Sequence, residues 1–232
     1  GTVDCNGHGT HVAGTIGGNS YGVAKAVNLV PVRVLDCLGS GTFSGVIAGI
    51  DWVINDHQAG VPAVANLSLG GGYSLAVNDA IARLVADGVS VVVAAGNSNA
   101  NACNYSPSSA PTAITVGASE IADNRAAYSN FGTCLDIFAP GSAIVSSWIG
   151  NNTATSTLNG TSMASPHVAG AAALLLDKNP TLTPIQVRDA LVAFATSGKV
   201  TSAGTGSPNL LLATEIAGAY VAPVLTAPSV PT

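Results

Sequence analysis

Apolar side chains recur along this chain in two distinct patterns. Recurrence every three or four positions, or a long apolar stretch, predicts helices in residues 46–54, 77–85, 158–178 and 184–195, and a helix of small residues begins near His8. Short apolar stretches bounded by turn residues predict strands in residues 27–35, 65–70, 89–97, 113–119 and 135–141. Pro31 is an irregularity in the first of these, because it has no N–H for a ladder.

The alternation of predicted strands and helices determines the expected architecture. It is typical of a parallel sheet with helices on both faces. We therefore predict an α/β fold of three layers, αβα, around a mostly parallel central sheet. In such folds, functional residues gather where strand ends meet helix starts.

Length and composition add a domain boundary and exclude some partners. The 232 residues suffice for one large domain, which we expect to cover residues 1–216. Residues 217–232 contain prolines 223, 228 and 231 and predict a proline-rich tail or linker. A net charge of -5 argues against a nucleic-acid partner, and no apolar run is long enough to span a bilayer. We therefore expect a globular protein that is soluble.

Four cysteines are widely spaced and none forms a CxxC pair. This spacing argues against a zinc knuckle or a dithiol redox motif. Two disulfides, and with them an oxidising compartment, are the favoured interpretation, and four buried free thiols are the alternative. The spacing does not choose among the three possible pairings of Cys5, Cys37, Cys103 and Cys134.

The stretch LNGTSMASPHVAGAAALLL, residues 158–176, combines a polar beginning with an apolar end. Pro166 is best tolerated in a first helical turn, so we predict a helix that starts near Ser162. Free N–H groups and the positive end of the helix dipole would stabilise an anion that forms there. Ser162 is therefore a candidate nucleophile, with an ordinary helix-capping serine as the alternative.

Two further polar groups suit the same chemistry. His8 lies at the start of the small-residue helix, where a histidine can act as a general base, whereas His57 is expected to be solvated and His167 to pack in the core. His8 and His11 lack the spacing and the adjacent glutamate of a zinc-binding helix. Asn97 ends a buried strand, where its amide could donate to an oxyanion.

Three motifs together resemble one protein family. NGHGTHVAGTIGG, AAGN and NGTSMASPHVAG are similar to the histidine, oxyanion and serine motifs of the subtilases. Residues 21–53 and the cysteine positions resemble the proteinase K branch, and within it the aqualysin-type enzymes. The resemblance extends to about residue 212, and it implies a secreted, monomeric serine endopeptidase that acts on proteins or peptides and possesses a propeptide.

The resemblance also implies roles for individual residues. Ser162 would be the nucleophile, His8 the general base and Asn97 the oxyanion donor. The resemblance implies main-chain pairing with the substrate and a roomy, apolar pocket that suits apolar or aromatic side chains. The implied substrate-binding positions are Gly39, Ser40, Gly41, Ser68, Leu69, Gly70, Ala94, Ala95 and Gly96. The implied disulfides are Cys5–Cys37 and Cys103–Cys134, and the implied structural Ca²⁺ site uses Pro111, Ala113 and Asp136.

The sequence departs from the family pattern in one respect. The subtilase aspartate precedes the histidine by about thirty residues, but only seven residues precede His8 here. We therefore expect a catalytic domain without its N-terminal strand or strands, weak or inactive on its own. The alternative is a subtilase-like binding or structural protein. An esterase of the α/β-hydrolase type is disfavoured, because GTSMA lacks the last glycine of GxSxG and His8 precedes Ser162.

Overall fold

The computed structural model describes residues 3–213. The predicted tail, residues 217–232, lies outside the described residues. The helices are α1 His8–Gly17, α2 Phe43–Asp56, α3 Leu75–Ala86, α4 Thr161–Lys178 and α5 Pro184–Phe194, with a 3₁₀ turn at Ala102–Asn104. The strands are β1 Val64–Leu67, β2 Gly71–Gly72, β3 Ser90–Ala94, β4 Tyr105–Ser106, β5 Ile114–Ser119, β6 Ile137–Pro140, β7 Ile144–Ser147, β8 Thr155–Leu158, β9 Thr196–Ser197 and β10 Leu210–Leu211.

The main sheet is mostly parallel, as the sequence predicts. Its strand order is β1-β3-β5-β6-β10-β9, and only β9 runs antiparallel to its neighbour within this described sheet. The short strands β2 and β4 form one separate antiparallel pair, and β7 and β8 form another. The central strands β3 and β5 are fully buried, which explains why they read as continuous apolar runs.

Helices cover both faces of the sheet. Successive residues of a strand point to opposite faces, and β3 shows this directly. Val91 and Val93 pack in the cluster that includes α2 and α3, whereas Val92 packs in the cluster that includes α4 and α5. The prediction of an α/β fold with three layers is confirmed.

The predicted strand at residues 27–35 is wrong. These residues belong to no strand among the described elements, and Leu29 and Val30 remain 44% and 65% exposed. A strand requires a hydrogen-bonded neighbour, and β1, the edge strand of the described sheet, pairs only with β3. The segment is instead held by side-chain packing, because Val34 lies against Gly49 of α2.

Helix α4 lies at the centre of the molecule and is buried on nearly all sides. It contacts β1, β3, β5 and β6 of the sheet and α1 on its outer side. Gly170 allows this close packing: a Cβ there would come within 2.6 Å of the Val23 side chain. The apolar half of the 158–176 stretch therefore anchors the polar residues at the helix start.

Candidate active site

Ser162 is the second residue of α4. Gly160, in the short connection between β8 and α4, has φ +155, a conformation that favours glycine. The N–H of Ser162 belongs to the first helical turn, whose N–H groups have no acceptor within the helix. The structure thus places a half-buried hydroxyl and a main-chain donor together at the positive end of a helix.

Pro166 explains how Ser162 is fixed. It is the sixth residue of α4, one turn later than the sequence analysis expects. Because proline has no N–H, the carbonyl of Ser162 receives no helical hydrogen bond from position 166. That carbonyl instead accepts a hydrogen bond of 2.7 Å from Ser68 Oγ, and Ser162 Oγ donates to the Ser68 carbonyl at 3.3 Å.

A short polar chain continues from Ser68 along β1. Asn66 donates from Nδ2 to Ser68 Oγ at 3.0 Å, and its Oδ1 accepts from Ser165 Oγ at 2.7 Å. This chain connects the edge strand to the first turns of α4. It accounts for the polar residues at the start of a helix that is otherwise apolar.

Asn97 lies just beyond β3, beside the start of α4. Its Oδ1 accepts two hydrogen bonds from Thr161, one from the main-chain N–H at 2.8 Å and one from Oγ1 at 2.9 Å. Thr161 Oγ1 in turn accepts from the Gly96 N–H at 3.1 Å. Because Oδ1 is occupied, the amide orientation is fixed. Its Nδ2 lies 3.5 Å from the position that a Cβ would have at Gly160, on the Ser162 side.

His8 begins α1, and its N-terminal turn is held by Asp4. One Asp4 oxygen accepts from the N–H groups of Asn6 and Gly7 at 2.9 and 2.8 Å, and the other accepts from the N–H and hydroxyl of Thr10 at 2.8 and 2.7 Å. The Trp148 ring packs on Gly7, where a Cβ would lie 2.4 Å from it.

The electrostatic setting of His8 favours its neutral form. Burial lowers its pKa, as does the neighbouring His11, and the Asp4 carboxylate opposes both. A neutral imidazole can accept a proton, as a general base must. Within residues 3–213, however, no hydrogen bond joins His8 to Ser162 and no carboxylate binds the His8 ring, because both oxygens of Asp4 are used by α1.

A pocket of about 280 Å³ opens beside Ser162. Its lining includes five of the nine predicted substrate-binding positions, Leu69, Gly70, Ala94, Ala95 and Gly96, and two of the predicted catalytic residues, Asn97 and Ser162. Tyr105 and Ser108 also line it, although the sequence analysis does not single them out. Ser68 lies next to this lining, and His8 is not part of it. The lining contains no charged side chain, and Ala94, Ala95 and Gly96 form a part of it with small residues.

The segment with Gly39, Ser40 and Gly41 is an exposed turn that lies outside this lining. Asp36 holds the turn, because its Oδ1 accepts from the N–H groups of Leu38 and Ser40 at 2.8 and 2.9 Å. The Cys5–Cys37 disulfide attaches the turn to the chain that leads into α1. The second disulfide joins Cys103 to Cys134, so both pairings implied by the resemblance are present.

The three residues implied for calcium meet an arginine instead. Arg188 of α5 forms an ion pair of 2.5 Å with Asp136 Oδ1 and donates to the Pro111 carbonyl at 3.3 Å. Asp136 Oδ2 accepts from the Thr115 N–H at 2.8 Å. Pro111, Ala113 and Asp136 therefore do not fit a bound Ca²⁺ as they stand, because the guanidinium of Arg188 already binds two of the three donors.

The other three histidines lie in different surroundings from His8. His57 is not solvated: its side chain is 6% exposed, Nδ1 lies 2.7 Å from Asp87 Oδ2, and Nε2 lies 2.8 Å from the Val61 carbonyl. His167 lies within α4 and is partly buried rather than fully in the core, with Nδ1 bonded to the Met163 carbonyl one turn earlier at 2.8 Å. His11 is fully buried, with Nε2 3.0 Å from the Ile144 carbonyl and Nδ1 without a partner among the described residues.

The fold and the site together define a class: a three-layer α/β protein with a half-buried serine at the start of a central helix and an oriented side-chain amide beside it. Comparison with known proteins gives the family. The family model described as "Subtilase family" matches residues 1–210, and the chain belongs to this family.

Individual relatives agree with this assignment. The chain is 61% identical to the "Extracellular serine proteinase" of Thermus sp. (strain Rt41A), an alignment that covers 91% of this chain and 51% of the relative. It is 57% identical to the "Alkaline serine exoprotease A" of Vibrio alginolyticus, and this alignment covers 90% of this chain and 38% of the relative. The chain thus spans about half or less of the length of these curated relatives.

A solved structure agrees with the fold. The crystal structure of a cold adapted subtilisin-like serine proteinase matches with a TM-score of 0.87 and 54% identity, over 91% of this chain and 76% of that chain. No helix among residues 3–213 combines the length and the apolar character that crossing a membrane requires.

Proposed function

We propose that residues 1–216 form the catalytic domain of a serine endopeptidase with Ser162 as its nucleophile. The arrangement around Ser162 carries this proposal. Its hydroxyl and its N–H lie at the start of α4, and Thr161 holds the Asn97 amide so that its donor group lies on the same side. A capping serine would need neither the pocket nor the oriented amide. The relatives named as serine proteinases point in the same direction.

The proposed reaction is acyl transfer to Ser162. His8 takes the proton from Ser162 Oγ as this oxygen forms a bond to the peptide carbonyl carbon. The negative carbonyl oxygen is held by the Ser162 N–H and Asn97 Nδ2, and each such donor is worth about 3–4 kcal/mol of transition-state stabilisation. The C–N bond breaks as His8 gives its proton to the leaving amine. Water then takes the place of the amine: His8 accepts its proton as it attacks the acyl carbon, and returns a proton to Ser162 Oγ as the bond to the acyl group breaks.

Activity of the chain on its own is expected to be weak. In serine proteases a carboxylate orients the histidine, and replacement of that carboxylate by an amide lowers kcat about 10⁴-fold. The described residues place no carboxylate on the His8 ring, since Asp4 is used to hold α1. Ser162 Oγ donates to the Ser68 carbonyl, and attack requires it to turn toward His8.

The proposed substrates are extended segments of protein or peptide. The exposed main chain after β1 and the turn at residues 39–41 offer peptide groups for pairing, which tolerates many sequences. The small, uncharged walls of Ala94, Ala95 and Gly96 suit an apolar or aromatic side chain. A propeptide that occupies the same groove is part of this proposal.

The setting of the protein follows from its relatives and its disulfides. Two disulfides are typical of an oxidising compartment, and one relative is named as extracellular, so we propose that the protein is secreted. That it acts as a monomer is proposed from the resemblance to the proteinase K branch. Calcium has no part in the proposed chemistry, and a Ca²⁺ ion would have to displace Arg188 to reach Asp136.

Covalent labelling with a fluorophosphonate tests the proposed function. The 232-residue chain should be labelled at Ser162, more slowly after His8→Ala, and not at all after Ser162→Ala. Circular dichroism would show that all three chains are folded. If the folded chain labels no faster than Ser162→Ala, Ser162 is not an activated nucleophile, and a subtilase-like binding protein becomes the better description.

A further inference from the structure

Asn130 is a fully buried polar residue that belongs to no motif of the sequence analysis. It makes four hydrogen bonds to the chain that leaves β3. Its N–H donates to the Gly96 carbonyl at 2.9 Å and its Nδ2 to the Ala95 carbonyl at 2.8 Å. Its Oδ1 accepts from the N–H groups of Ser98 and Ala100, both at 3.0 Å. One short segment therefore provides the partners for the N–H, the Nδ2 and the Oδ1 of Asn130.

The segment held in this way, residues 95–100, is the one that carries Asn97. Asn130 binds residues on both sides of Asn97 but does not contact its side chain through any of these bonds. Gly96 has φ +100, and a Cβ at Gly96 would lie 2.4 Å from Asn130 Nδ2. The turn therefore fits closely around the Asn130 side chain.

Asn130 is itself held by its neighbours. Ser129 Oγ donates to the Asn130 carbonyl at 3.0 Å and accepts from the Ala118 N–H of β5 at 2.9 Å. The Phe131 N–H donates to the Ala100 carbonyl at 3.0 Å. The position of Asn130 is thus tied to the central sheet, and it transmits that position to residues 95–100.

We propose that Asn130 is a positioning residue, which holds the exit of β3 so that the Asn97 amide meets the developing oxyanion. This inference rests on the proposed function, because it assumes that Asn97 acts as an oxyanion donor. Thr161 fixes which way the Asn97 amide faces, whereas Asn130 fixes where its main chain lies. Displacement by about 1 Å of a group that meets the transition state can cost about 100-fold in rate.

A double-mutant cycle on the full chain separates positioning from general stability. The measured quantity is the rate of labelling of Ser162 by a fluorophosphonate, at a temperature where circular dichroism shows every variant folded. Asn97→Ala should slow labelling by about 100-fold or more. Asn130→Ala should slow it by about 10- to 100-fold, but by less than about 3-fold in the Asn97→Ala background, because the group that it positions is then absent.

Asn209→Ala is the matched control. The Asn209 side chain also exchanges hydrogen bonds with main chain, accepting from the Val200 N–H and donating to the Val200 carbonyl at 2.8 Å each, and it does not line the pocket. This variant should lose stability without a change in labelling rate. Asn130→Ser, which supplies a hydroxyl that can still donate or accept a hydrogen bond, should give a smaller decrease in rate than Asn130→Ala.

The outcomes distinguish this inference from the proposed function. If Asn97→Ala leaves the labelling rate unchanged, or if the unsubstituted chain is not labelled, the proposed function fails and the inference fails with it. If Asn97→Ala slows labelling but Asn130→Ala does not, or slows it equally in both backgrounds, only the inference is overturned. Loss of the fold in both Asn130 variants would assign Asn130 a structural role and overturn it as well.

Discussion

Ser68 and Ser162 exchange hydrogen bonds in both directions across the contact between β1 and α4, with Ser68 Oγ 2.7 Å from the Ser162 carbonyl. The absence of an N–H at Pro166 makes that carbonyl available. Ser68→Ala should lower the free energy of unfolding by about 1–3 kcal/mol, because the carbonyl then loses its partner. Urea unfolding followed by circular dichroism measures this change.

Pro166→Ala provides the control for this prediction. It restores an N–H at position 166, which can bond to the Ser162 carbonyl within the helix. The cost of Ser68→Ala should therefore be smaller in the Pro166→Ala background. An equal cost in both backgrounds would show that Ser68 stabilises the protein in some other way.

Asp4 should make the N-terminal turn of α1 sensitive to acid. Burial alone would raise its pKa, but hydrogen bonds from Gly7, Thr10 and Asn6 outweigh it and lower the pKa to about 2, from 3.8. Since the folded pKa is depressed, the stabilisation is present above pH 3.8 and lost as the pH falls toward 2. After allowance for solvent screening, we expect it to be about 1–2 kcal/mol.

Asp4→Asn tests this prediction. The asparagine amide would face the Thr10 N–H and could not accept from it. Unfolding in urea at pH 3 and pH 6 should show a smaller difference for Asp4→Asn than for the unsubstituted chain. The same difference in both chains would mean that other carboxylates cause the acid sensitivity.

The contact of His57 with Asp87 should stabilise the protein at low and neutral pH rather than at high pH. The Val61 carbonyl raises the pKa of His57, burial opposes this, and Asp87 raises it further. Both ring nitrogens face acceptors, so only the protonated ring donates to both. The stabilisation is fully present below pH 6.5 and is lost as the pH rises through the raised pKa.

Two measurements check the His57 prediction. NMR titration of the His57 ring should give a pKa above 6.5, which Asp87→Asn should lower. The unfolding free energy should decrease from pH 6 to pH 9 as the ring loses its proton, and Asp87→Asn should reduce that decrease. A His57 pKa below 6.5 in the folded chain would contradict the prediction.

Arg188 should act as the cation of the Asp136 site. Arg188→Met leaves Asp136, which is 8% exposed, without its charged partner and should lower stability by about 1–3 kcal/mol, less than for a fully buried pair because Arg188 is 40% exposed. Millimolar Ca²⁺ should then raise the melting temperature of Arg188→Met more than that of the unsubstituted chain. Asp136→Asn in the Arg188→Met background should abolish the response. An equal response to Ca²⁺ with and without Arg188 would show that the ion binds elsewhere or displaces the arginine readily.

The sequence predicts those parts of the fold that depend on local pattern. The apolar run of β3 and the helical spacing of α2 and α3 identify those elements correctly. Burial on both faces of a strand requires consecutive apolar residues, and burial of one face of a helix requires apolar residues every three or four positions. Residues 27–35 have the composition of a strand, but strand formation also requires a partner. No described strand supplies one, and composition alone could not reveal this.

The site shows the same division. Ser162 and Asn97 stand out because their polar groups interrupt apolar stretches. The partners that hold them do not stand out: Asn130 follows Asn97 by more than thirty residues, and Arg188 meets Asp136 from a different helix. The polar stretch around His57 predicts a solvated side chain, and that local pattern does not contain its partner Asp87, which lies thirty residues away. Such pairings are properties of the folded chain, which the local pattern does not contain.

The bonds that hold Ser162 and its neighbour Thr161 in place connect residues 94 and 64 positions apart in the chain. No single segment therefore contains the proposed site, and its parts meet only when α4 lies against β1 and β3. For an endopeptidase this arrangement has a protective effect. Newly made or unravelled copies are themselves good substrates, but they cannot cut one another, because the capacity to cleave arises only together with the compact state that resists cleavage.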